Sequence, residues 1–298
     1  MASSRRSCLS VPGSSDRMLA KARELPADEL VIDLEDSVVP DHKEGARATA
    51  IAAIRDGSWG ERSVAVRVNP LATEWGPRDI ENVVAGAGKG LGGLVVPKVE
   101  APADLEELDS LLDETERRAG REPVGLQALI ETAAGLARVA EIARASARLE
   151  SLIIGFADLA ASLGRSPVAD YPGDRWHWVR ETVLVAARSA GLQAIDGPHL
   201  DVSDLEGLAV EAGRARALGL DGKWAPHPAQ IEPINAAFSP AQAEVDRAGA
   251  ILDALAAADG RGAVSLDGEM IDEASRKLAA QVLARGRAAG LAPARSQA

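Results

Sequence analysis

Eight times along this chain a short apolar run gives way to an amphipathic stretch, and that alternation limits the fold more than any other feature. The apolar runs occupy residues 8–11, 29–34, 64–69, 93–97, 126–130, 152–156, 192–195 and 223–225, lengths that suit strands rather than helices. Between them, apolar residues recur at helical spacing over 41–55, 78–87, 102–118, 133–145, 176–190 and 204–218. A further helix runs to about Leu25 from Ser14 or Ser15, either of which can cap it. Strands alternating with helices predict a parallel sheet, and eight such units predict a closed (β/α)8 TIM barrel. The barrel is expected to span residues 1–238. Residues 239–298 break the alternation and read as a C-terminal helical extension, with helices over 240–258 and from Asp272.

Composition bounds the partners. The chain has 298 residues, 46% hydrophobic and 26% charged, enough for one large core. Its net charge of −12 argues against a nucleic-acid backbone as ligand. No apolar run is long enough for a membrane helix. The single cysteine, Cys8, suits a reducing compartment, and the expected location is the cytoplasm.

In a barrel, residues that close the strands share one mouth. Here they are Glu35 and Asp36, Arg67 and Asn69, Lys98, Glu131, Asp158, Asp196 and His227. Glu131 and Asp158 end neighbouring strands joined by one helix, and two converging carboxylates suit a hard divalent cation. The residues alone equally admit a capping role for Glu131 and a plain strand end at Asp158. Arg67 interrupts an apolar strand between Val66 and Val68, so it should either pair with Glu35 or Asp36 or face an anionic substrate, and the two roles are compatible. Other chemistries find less support. The GAGKGLGG stretch follows a helix and precedes a strand, the reverse of a phosphate loop. The four histidines lack zinc spacing, and there is no Gly-x-Ser-x-Gly elbow.

Eight segments taken together carry a resemblance: SVPGSSDRM, VIDLEDSVVPDHKEGAR, VRVN, VPKVE, LIETAAGL, GFADLAASLG, GKWAPHPAQI and LDGEMID. In this order, over about residues 6–283, they resemble the citrate lyase β-subunit-like family (HpcH/HpaI aldolase/citrate lyase). PGDRWHW and GKWA are most similar to its malyl-CoA and β-methylmalyl-CoA lyases. The resemblance implies a barrel with a C-terminal lid in a homotrimer or homohexamer. It implies Mg²⁺, with Mn²⁺ as the alternative, held by Glu131 and Asp158. Arg67 would bind the 2-oxo acid, with Glu35 and Asp36 supporting it. Asp272 would be the general acid/base reaching a neighbouring subunit's site. Ser10, Lys21, Pro226 and His227 would contact a CoA thioester.

The implied reaction is reversible cleavage of a 3-hydroxyacyl-CoA (malyl-, methylmalyl-, citramalyl- or citryl-CoA) into an acyl-CoA and glyoxylate, pyruvate or oxaloacetate. The chain departs from the malyl-CoA lyase pattern at Ser10, where an aromatic is usual, at Ser15, where an arginine is usual, at Pro226, and in a shortened segment between Gly164 and Trp176. The alternatives are therefore a metal-dependent 2-oxo-acid aldolase without CoA, or a malyl-CoA thioesterase with malate synthase-like net activity.

Overall fold

A computed structural model describes residues 4–57, 59–60, 62–165, 174–258 and 262–294. Its chain divides into two compact units, Met1–Asn235 and Ala236–Ala298.

The first unit is a closed eight-stranded barrel in sequence order: β1 (Ser7–Pro12), β2 (Glu29–Asp33), β3 (Ser63–Arg67), β4 (Gly93–Val96), β5 (Gly125–Ile130), β6 (Leu149–Ile154), β7 (Gln193–Asp196) and β8 (Gly222–Ala225). All neighbours are parallel, and β1 closes against β8 with Ser7 opposite Lys223. The helices are α1 (Asp16–Ala22), α2 (Lys43–Arg55), α3 (Gly76–Gly86), α4 (Pro102–Ala119), α5 (Ala133–Ala137), α6 (Val139–Ile142), α7 (Phe156–Ser162), α8 (His177–Ser189) and α9 (Leu205–Leu218), with α10 (Ile231–Phe238) following the last strand. Each long helix buries the stripe its spacing announces. In α4, Leu105, Leu108 and Leu112 are buried, Pro102 starts the helix and Gly120, at φ 63°, ends it in the left-handed region. Each such leucine contributes about 1.5–3 kcal/mol of burial.

The barrel interior follows from period-two alternation. One inner layer takes a residue from every strand: Cys8, Val31, Ala65, Val95, Leu129, Ile153, Ile195 and Trp224. Two residues earlier lie Glu29, Ser63, Gln127, Ser151 and Gln193. They form a polar plug with Arg5, whose Nε donates to Glu29 Oε1 (2.9 Å) and whose Nη1 donates to Gln193 (2.5 Å). Two residues later the same face presents Ser10, Asp33, Arg67 and Glu131. Parity thus puts apolar packing in the middle and chemistry at the C-terminal mouth.

The expected 133–145 helix is broken into α5 and α6. Strand β6 stops at Ile154, so Phe156 and Asp158 begin α7 instead of ending a strand. No helix among the described residues is long and apolar enough to cross a membrane.

The second unit contains α11 (Gln242–Ala256), a hairpin of β9 (Ala263–Leu266) and β10 (Glu269–Asp272), and α12 (Glu273–Ala288). The sequence reading gives 263–271 no element. The hairpin arises from Asp267-Gly268, both at positive φ as a two-residue type I′ turn requires. Helices α11 and α12 pack closely at Gly286, where a Cβ would stand 2.9 Å from Val245.

Candidate active site

Glu131 leaves the end of β5 on the inward parity and is buried. Its Oε1 accepts the backbone N–H of Lys98 at 2.9 Å. Gly155, just after β6, makes room for it: a Cβ there would stand 2.5 Å from Glu131 Cβ and 2.6 Å from Oε2. Burial, and then the nearby Glu35 carboxylate, push the Glu131 carboxyl up to about 8. Asp158 sits in the first turn of α7, half-exposed.

Arg67 is held more firmly than its expected partners suggest. Its Nε and Nη2 make a two-pronged contact with Asp33, both at 2.7 Å, across the β2–β3 register pair. Glu35 Oε2 lies 3.0 Å from Nη1, in ion-pair contact without hydrogen-bond geometry, and the exposed Asp36 lies at 3.8 Å. The Trp224 ring stands 5.9 Å from the guanidinium carbon. Asp33 is buried, yet hydrogen bonds from Arg67 hold its carboxyl below the usual range. Glu35 is shifted up by burial, although Arg67 and Lys98 oppose this.

These groups border a pocket of about 110 Å³, lined by Asp36, Arg67, Glu131, Phe156, Asp158 and Trp224 among others. No cluster of three or more metal-ligating His, Cys, Asp or Glu side chains occurs among the described residues. A divalent cation here would have two protein carboxylates, with the pocket leaving space for water and substrate oxygens. That donor set fits Mg²⁺, which commonly keeps several waters and takes one or two carboxylates. A buried carboxylate with one hydrogen bond and a raised protonation range is the kind of group a cation would stabilise.

A second cleft of about 460 Å³ lies between β1, α1 and the segment after β8. It brings together Ser10, Lys21, Pro226 and His227, all expected on the thioester side, and adds Ser15, Arg17 and Met18. Ser15 caps α1 by accepting the Met18 N–H at 3.3 Å. The cations lining this cleft are therefore Arg17 and Lys21. Strand β8 and its continuation serve both spaces, with Trp224 at the first and residues 226–228 at the second.

Other expected mouth residues point elsewhere. Asp196 has the opposite parity to the inward Ile195, and it accepts Arg180 Nε (2.8 Å) and Lys223 Nζ (2.7 Å) outside the barrel wall. Asn69 is buried between Lys43 and Asp79. His227 caps a short turn by accepting the Ala229 N–H. Asp272 lies in the second unit, exposed at the end of β10. Its carboxylate caps α12, and the N–H groups of Ser275 and Ala274 hold its carboxyl below the usual range. Of the PGDRWHW stretch, Pro172 and Gly173 lie outside the described residues.

Sequence reasoning passed over Asp33 and Arg17. Asp33 emerges only from the β2–β3 register, which sets it opposite Arg67. Arg17 has the pattern of an ordinary helix-surface charge, and only the cleft beside α1 sets it apart.

Known proteins bear on this arrangement. L-malyl-CoA/beta-methylmalyl-CoA lyase of Cereibacter sphaeroides is 38% identical over 286 residues, 90% of each chain. Citrate lyase subunit beta of Escherichia coli is 38% identical over 293 residues, 96% of this chain and 95% of that one. CitE of Mycobacterium tuberculosis, solved with magnesium, acetoacetate and coenzyme A, is 32% identical, with a TM-score of 0.77 over 95% of this chain and 98% of that one. A Burkholderia xenovorans citrate lyase shares the fold at 24% identity, with a TM-score of 0.87 over 98% of this chain and 94% of that one. The family model for HpcH/HpaI aldolase/citrate lyase matches residues 6–228. With that match spanning the barrel and its mouth, the chain belongs to the HpcH/HpaI aldolase/citrate lyase family.

Proposed function

We propose that this protein is a Mg²⁺-dependent carbon–carbon lyase that reversibly cleaves a 3-hydroxyacyl-CoA of the malyl-CoA type into an acyl-CoA and a small 2-oxo acid. One observation carries the reading: Glu131 and Asp158 face the Asp33-anchored Arg67 across a small pocket, and β8 links that pocket to the larger cleft bearing Arg17 and Lys21.

In this reading Glu131 and Asp158 would hold the metal, which would supply Lewis acidity to the bound oxo acid. Arg67 places fixed positive charge where the oxo acid's oxygen becomes negative, and Asp33 keeps that guanidinium from rotating. Glu35 and Asp36 support Arg67 from the other side. Ser10, Lys21, Pro226 and His227, with Arg17, border the thioester arm. Asp272 moves the carbon-bound proton: in condensation it takes one from the carbon beside the thioester carbonyl while the new alkoxide takes one from solvent, and in cleavage it returns one to the thioester enolate while the hydroxyl proton leaves to solvent. Its lowered protonation range keeps it ionised and able to accept. Delivery of Asp272 by a neighbouring subunit's lid, in a trimer or hexamer working in the cytoplasm, completes the proposal.

The test incubates purified protein and Mg²⁺ with acetyl-CoA or propionyl-CoA and glyoxylate, pyruvate or oxaloacetate, and identifies products by mass. A 3-hydroxyacyl-CoA should form, and EDTA should abolish it. Asp272→Asn should lower turnover at least ~100-fold with Mg²⁺ binding intact. Release of free thiol would replace the lyase reading with a malate synthase-like one. Ser15, a helix cap at a position where the resemblance leads one to expect an arginine, favours a CoA-independent aldolase. Cleavage of free 2-oxo-acid aldols with no use of acyl-CoA would establish it.

A further inference from the structure

Lys98 follows β4 with φ 53°, one of two described non-glycine residues in the left-handed region. That conformation costs a lysine backbone energy, and it persists only where the surroundings over-determine it. Here three carboxylates do so. The Lys98 N–H donates to Glu131 Oε1 at 2.9 Å, and its ammonium reaches Glu35 Oε1 at 2.5 Å and Asp158 Oδ2 at 3.5 Å. One residue therefore touches both carboxylates assigned to the metal and the one that supports Arg67. Glycine would adopt this backbone without strain but would bring no cation.

We propose that Lys98 is a built-in counter-ion. Its ammonium neutralises the carboxylate cluster of the metal-free protein, and a divalent cation must displace it from Asp158. The inference rests on the assignment of Glu131 and Asp158 to the metal. Lys98 holds the carboxylates of the mouth together, and it lowers affinity for Mg²⁺ by competing for the same negative charge. On metal entry the ammonium keeps its shorter contact with Glu35, beside Arg67, while the Asp158 oxygen is freed. The backbone N–H stays on Glu131 throughout, so that ligand is positioned in both states. A cation within ~4–6 Å changes a carboxylate's preference for another cation by roughly tenfold or more, which sets the size of the effect.

The test is titration calorimetry with MgCl2 on wild type, Lys98→Met, Lys98→Gly and Lys98→Arg, with thermal unfolding in EDTA and in excess Mg²⁺. The methionine variant removes the charge and keeps the stem. The glycine variant removes the charge and suits the backbone, which guards against a folding defect in the first. Both should bind Mg²⁺ about tenfold or more tightly, and the arginine variant should stay near wild type. The methionine variant should also lose thermal stability in EDTA and recover it in Mg²⁺. Wild-type binding with unchanged or weaker affinity in both uncharged variants overturns the counter-ion role and leaves the metal assignment standing. Absence of Mg²⁺ binding in wild type and every variant overturns the metal assignment and this inference with it.

Discussion

Replacing Glu131 by glutamine should make the metal-free protein more stable, and increasingly so as pH rises. The carboxyl is buried, its protonation range is pushed from 4.5 to about 8, and its one hydrogen bond comes from a backbone N–H that glutamine can also satisfy. A group whose folded value lies above its unfolded value holds its proton more tightly in the fold. Its favourable contribution is complete at acid pH and is lost as pH climbs through about 8. At ~1.4 kcal/mol per unit, holding Glu131 protonated in the fold costs about 2 kcal/mol near pH 6, and the penalty reaches about 5 kcal/mol once the group ionises above pH 8. Glutamine carries none of that cost. Urea unfolding in EDTA, followed by tryptophan fluorescence, should therefore show the Glu131→Gln advantage growing by about 3 kcal/mol between about pH 6 and 9, then levelling. Excess Mg²⁺ should stabilise wild type and leave the variant unmoved. A pH-independent difference, or a wild type more stable than the variant at about pH 9 in EDTA, would refute the reasoning.

Two further substitutions probe the same mouth. Gly155→Ala introduces a Cβ into the space filled by Glu131, so Mg²⁺ affinity measured by calorimetry should fall at least ~10-fold, and unchanged affinity would show that Glu131 has room to move. Asp33→Asn leaves Arg67 in place but removes the charge that orients it. The KM for the oxo acid should rise and kcat should fall ~10-fold or more while Mg²⁺ affinity stays constant, and a change confined to the acyl-CoA KM would contradict that role.

The barrel was legible because the strands are short and largely apolar and most are followed by a helix with a clear apolar stripe. The site was legible only in part, and side-chain parity separates what was read from what was missed. Glu131 and Arg67 lie two residues beyond inward-facing Leu129 and Ala65, so they had to face the mouth. Asp196 is adjacent to inward-facing Ile195, so it had to face out, and a tally of strand-end charges overlooks this. Asp33 closes an entirely buried strand, and only the β2–β3 register shows it opposite Arg67. Asp158 reaches the mouth from a helical turn whose start depends on where β6 breaks. The left-handed backbone of Lys98 arises from three carboxylates distant in sequence, and no local pattern announces it.

Closure of the barrel has a consequence for how the chain is made. The seam joins residues 7–9 to 223–225, and Arg5, at its foot, bonds Gln193 and Glu150 as well as Glu29. At roughly 5–20 residues per second, a ribosome takes on the order of ten seconds or more to deliver the last strand after the first. During that interval the open edge of β1 is exposed to whatever strand edges lie nearby, including those of other nascent copies. The deeply buried Arg5–Glu29 pair cannot be sealed until β6 and β7 have emerged. Synthesis speed and chaperone supply, rather than equilibrium stability, should then set the yield of folded protein.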